Sequence, residues 1–85
     1  MTTEERNNQR ASQLKAFGTA VKNLTEHALG QIKVTYNKSM GQYEVESTNS
    51  STGAFYAMDT IMLAKAMQCN CFLKAEGGKV ILLVY

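Results

Sequence analysis

The chain has 85 residues, 45% of them hydrophobic and 19% charged, with a formal net charge of +2. A chain of that length builds one small core, and those proportions sit near globular averages, which excludes a two-domain architecture, a fibrous repeat and a disordered polymer. The expected unit is a single domain over residues 1–85.

The first predicted element is a helix from about Glu4 to Leu29, opened by the Thr2 to Glu5 capping-box spacing and closed by Gly30. Its apolar positions Leu14, Phe17, Val21, Leu24 and Ala28 follow alternating steps of three and four and make one narrow seam. Continued backwards, the seam reaches Arg10 and then Arg6 or Asn7. Residues 1–13 therefore form a polar first part that is expected to overhang the core.

From Gln31 the period changes to two. Ile32, Val34 and Tyr36 alternate with Lys33, Thr35 and Asn37, and Tyr43 and Val45 alternate with Gln42, Glu44 and Glu46. A hairpin around Asn37–Gly41 pairs Tyr36 with Tyr43, Val34 with Val45 and Lys33 with Glu46, leaving one dry face and one wet one. The polar run Ser47–Gly53 follows, rich in helix-capping and turn residues.

A second helix is expected from about Ala54 to Gln68, with two apolar stripes. Phe55, Met58, Met62, Ala66 and Cys69 form one, and Tyr56, Leu63 and Met67 lie nearly opposite. A helix apolar on two sides is covered on two sides. The last segment reads as a second hairpin, Cys71–Glu76 and Lys79–Tyr85 joined by Gly77-Gly78, with Val80–Tyr85 apolar without alternation and hence central. The expected fold class is α+β, in the order α-β-β-α-β-β, with an antiparallel four-stranded sheet packed with two helices. The strand order is left open.

Area arithmetic leaves an apolar patch in either of two packings. If both helices lie on one sheet face, Phe72, Ile81, Leu83 and Tyr85 have no layer above them. If the first helix crosses to the other face, Tyr56, Leu63 and Met67 stay bare. These seven residues are the candidate oligomer interface, and a homodimer is expected.

Catalytic chemistry finds little to work with. The single histidine, His27, falls in the last turn of helix one, where the helix dipole alone favours it. Cys69 and Cys71 are one residue apart, too close to bridge without strain, and no second Cys or His pair completes a zinc site. Asp59 suits the start of an apolar helix, and Ser47–Gly53 lacks the glycine and lysine pattern of a nucleotide loop. No enzyme, cofactor or metal is expected. The charged N-terminus is no secretory signal, and Asp59, Lys65 and Gln68 interrupt the nearest apolar run, so no membrane role is expected and the cysteine usage points to the cytoplasm.

The expected function is that of a small non-enzymatic binding protein that occupies a surface on another protein, as a phage or mobile-element inhibitor of a host defence system does in the manner of anti-CRISPR proteins. Arg6, Asn7 and Arg10 with the acidic row Glu44 and Glu46 form the candidate partner surface. A nucleic-acid-binding module is the runner-up: Tyr36 and Tyr43 offer a stacking platform, but positive charge is spread thinly, with Lys15 pointing away from Arg10. A structural or assembly subunit is the third reading.

Overall fold

Helix α1 spans Thr3–His27, and Thr2 caps it by accepting the Glu5 amide on its hydroxyl at 3.1 Å. These positions come from a computed structural model that describes residues 2–28, 30–48 and 50–85. The expected end at Leu29 lies outside the described residues. At about 1.5 Å per residue the helix is about 37 Å long, in a molecule whose longest extent is 43 Å. Phe17, Val21 and Ala28 are buried and Leu14 and Leu24 pack beside them, so the seam is the core-facing stripe. Every residue from Thr2 to Ser12 is exposed.

Strands β1 (Ile32–Asn37) and β2 (Gln42–Thr48) form the first hairpin in the expected register, with Val34 opposite Val45, Tyr36 opposite Tyr43 and Lys33 opposite Glu46. Asn37 builds the turn: its carbonyl accepts the Gly41 amide at 2.8 Å and its side-chain oxygen accepts the Met40 amide at 3.1 Å. Gly41 sits at φ +64°, where a glycine is cheapest.

Helix α2 runs over Ser51–Ala66, starting three residues before the sequence pattern does. Ser50 is the reason: its hydroxyl accepts the Gly53 amide at 3.0 Å, so the hydroxyl-rich Ser51 and Thr52 enter the first turn. Asp59 consequently lies beyond the first two turns, out of reach of the helix-terminal charge that was expected to favour it. The helix ends at Ala66, two residues before the expected Gln68, which takes φ +60°. The Cys69 amide then reaches the Ala64 carbonyl (2.8 Å) and the Gln68 amide the Lys65 carbonyl (3.0 Å), a Schellman closure built on a non-glycine residue.

Strands β3 (Cys71–Glu76) and β4 (Lys79–Val84) form the second hairpin around Gly77-Gly78, with Glu76 opposite Lys79. The sheet is antiparallel throughout, in the order β1-β2-β4-β3. The apolar strand β4 is therefore central, as its lack of alternation requires, while β3 is an edge.

Both helices lie on the face that carries Ile32, Val45, Leu82 and Val84, all buried. The part of α2 that meets the sheet is neither of its large apolar stripes. Gly53, Ala57, Thr60 and Ala64 are its buried residues, small side chains that bring the helix backbone close to β2. Thr60 is buried with its hydroxyl partnered, since it donates to the Tyr56 carbonyl at 2.7 Å.

Candidate binding surfaces

This packing exposes the stripe of α2 that was expected to be covered. Phe55, Met58 and Met62 are 72%, 61% and 64% exposed. Tyr56, Leu63 and Met67, expected at an oligomer interface, instead pack half-buried against the core. Tyr56 also donates its hydroxyl to the His27 carbonyl at 3.2 Å, which ties α2 to the end of α1.

The other expected interface residues remain accessible. Ile81, Leu83 and Phe72 occupy the sheet face turned away from the helices, since their neighbours Leu82 and Val84 are buried under them. No described element covers that face, and Phe72 is 57% exposed, with Tyr85 exposed beside the same strand. On the helical side β3 is covered only at Cys71: Leu73 is 49% exposed because α2 lies over β2 and β4 and stops short of the edge.

The edge also presents backbone. Asn70 and Tyr85 exchange both amide-to-carbonyl bonds at 2.9 Å, and the two-residue turn makes Glu76 and Lys79 the corresponding bonded pair at the other end. Phe72 and Lys74, in step with them, bond inward to β4. Cys71, Leu73 and Ala75 therefore direct their N–H and C=O groups outward.

The five charged or polar residues expected to act as one partner surface are separated. Glu44 and Glu46 alternate with buried Val45 and Ser47, so they sit on the open sheet face, where Glu46 reaches Lys79 Nζ at 3.7 Å. Arg6, Asn7 and Arg10 lie on the helical side, lining a groove with Gln13, Gln68 and Asn70. There the Gln13 side-chain amide donates to the Gln68 side-chain oxygen at 3.0 Å.

Asn7 and Arg10 also line a second groove, of about 520 Å³, between the first half of α1 and the turn end of the first hairpin. Its other polar and aromatic walls are Lys15, Tyr36, Tyr43 and Tyr85. Lys15 was expected to point away from Arg10. Both nevertheless border this groove, because they bracket the strip of helix carrying Asn7, Ala11 and Leu14. Tyr43 is fixed between Phe17, edge-on at 5.6 Å, and Tyr36, tilted at 4.8 Å. Tyr36, expected in the core, is 47% exposed.

The residues weighed for chemistry have local roles. The His27 ring donates from Nδ1 to the Asn23 carbonyl at 2.9 Å, within its own helix. Cys69 and Cys71 are free thiols, half-buried against the core. Burial pushes the Cys69 thiol up, and the neighbouring Cys71 adds to the shift. Among the described residues no group of three or more His, Cys, Asp or Glu side chains is placed to hold a metal, and no helix is long and apolar enough to cross a membrane. Two hydroxyls of the Ser47–Gly53 segment are engaged locally: Ser50 meets Thr48 Oγ1 at 3.0 Å, and Thr48 donates to Gln31 Oε1 at 2.8 Å. Asn49 of that segment lies outside the described residues.

Compared with protein-family models, with curated proteins and with solved structures, the chain matches none.

Proposed function

We propose that this chain is a non-enzymatic binding protein that docks on protein surfaces through the open edge of β3, with a second copy of itself as the first partner. The observation that carries this reading is that β3 beyond Cys71 is exposed on both faces as well as at its edge, with Phe72 57% and Leu73 49% exposed. A flat six-residue edge without proline or bulge is a template for another strand. A single lysine, Lys74, guards it, and Lys74 Nζ is drawn to Glu76 at 3.4 Å.

The strand is complementary to itself. An antiparallel two-fold pairing about Leu73 sets Leu73 against its counterpart, Cys71 against Ala75, and Phe72 against Lys74, so no like charges stand directly opposite. Each ammonium then lies across an aromatic ring. The outward groups of Cys71, Leu73 and Ala75 are those such a pairing uses. As an inhibitor of a host defence complex the chain would use the same edge, with a strand of its target in place of the second copy.

Light scattering across a dilution series tests the reading, with Leu73→Pro as the variant. Proline at an outward-facing edge position removes one edge donor and leaves the β4 bonds intact. A wild-type dimer that becomes monomeric in Leu73→Pro, with an unchanged circular dichroism spectrum, supports edge pairing. A wild-type monomer throughout the series, or a dimer indifferent to Leu73→Pro, removes it.

A further inference from the structure

We propose that the groove between the first half of α1 and the turn end of the first hairpin binds a short segment of single-stranded nucleic acid. The groove shares no residue with β3, and its walls combine what such a ligand needs. Tyr36 and Tyr43 supply ring surface, and Arg10 and Lys15 stand on its two borders. Among its described lining residues there is no aspartate or glutamate.

The charge arrangement selects an anion. Glu44 and Glu46, the acids nearest in sequence to Tyr43, project from the opposite face of the sheet. Asn7 and Arg10 are shared with the adjoining groove, about 400 Å³, which adds Arg6, Gln13 and Asn70, again with no aspartate or glutamate in its described lining. The two grooves together make a track of three cations and several amides, longer than one phosphate.

The ring arrangement selects unpaired bases. Tyr43 is held in place by Phe17 on one side and Tyr36 on the other, so it costs little to order on binding. Tyr36 then presents an exposed ring. Base-on-tyrosine stacking tolerates any sequence and needs a base whose face is free, which a duplex does not offer. With a net charge of only +2, the chain has little of the electrostatic footprint that duplex binding requires. An occupant here would also cover the exposed first turns of α1.

The test is fluorescence anisotropy of an end-labelled oligothymidylate at low and moderate salt, with a duplex of equal length and thymidine monophosphate as competitors. The single strand is expected to bind, with affinity falling as salt rises. Arg10→Glu and Lys15→Glu should each lower the slope of log K against log salt by about 0.7. Tyr36→Ala should weaken binding about tenfold, and Tyr36→Phe should restore it. Circular dichroism establishes that each variant is folded, and Leu73→Pro should bind the oligonucleotide as the parent does. No binding at low salt, a duplex or a mononucleotide that competes as well as the single strand, or affinity unchanged by both Arg10→Glu and Tyr36→Ala each overturns the proposal.

Discussion

Gly53 sits with its Cα against the main-chain carbonyl of Thr48, so that a side chain at position 53 would run into that oxygen. The contact joins the end of β2 to the first turn of α2. Backbone cannot swing aside as a flexible side chain can. Gly53→Ala should therefore destabilise the domain by about 1–3 kcal/mol, although alanine is the better helix former. Urea denaturation checks this, with Thr52→Ala, exposed one residue earlier, as the neutral comparison.

Gln68 invites the opposite change. It takes the left-handed conformation, φ +60°, that closes α2, a position where glycine is favoured over a residue with a Cβ. Gln68→Gly should stabilise the fold by about 1 kcal/mol, seen as a higher urea midpoint with an unchanged slope. The exposed Gln13–Gln68 bond is lost in the exchange. If Gln68 were instead held there by that bond, the variant would be less stable than the parent.

The element order, both hairpin registers and the seam of α1 were legible in the sequence because each rests on short-range periodicity. Strand order was not, since nothing in the alternation of Ile32–Tyr36 or Cys71–Ala75 says which hairpin strand meets the other hairpin. The expectation that both large stripes of α2 are covered failed for a physical reason: large apolar residues dominate a hydrophobic pattern, whereas close helix–sheet approach selects the small Gly53, Ala57, Thr60 and Ala64. The signal was present as a spacing of four, three and four. The groove escaped the sequence because Arg10 and Lys15 are far apart around the helix and Tyr36 was counted as core; only the crossing of α1 over the hairpin turn brings them together.

Cys69 gives the pH dependence a definite sign. Burial, and then the proximity of Cys71, raises its pKa above the ordinary 9.0, so the folded chain retains a proton that the unfolded chain releases. Its contribution is fully present below pH 9 and is lost as pH rises through the raised value. Parent and Cys69→Ala urea midpoints compared at neutral and strongly alkaline pH should show the larger alkaline loss in the parent. Equal losses would mean that the Cys69 thiol titrates alike in both states.

Phe17 is fully buried and meets Tyr43 edge-on, so it anchors α1 on the first hairpin. Phe17→Ala should cost about 3–5 kcal/mol. In a domain of this size that is most of the stability, and thermal unfolding followed by circular dichroism should show a large drop or no cooperative transition.

The exposed stripe of α2 is a second apolar surface beside that of β3. Met58 and Met62 are more than half exposed and lie on the helix side away from the buried Ala57, Thr60 and Ala64. Replacing both with glutamine should leave stability within about 0.5 kcal/mol of the parent, as for surface positions generally. If docking runs through the β3 edge, the double variant should keep the parent's solution mass while Leu73→Pro loses it. A double variant that turns monomeric would move the interface from the sheet edge to the outer stripe of α2, where helix-to-helix packing between copies would replace strand pairing.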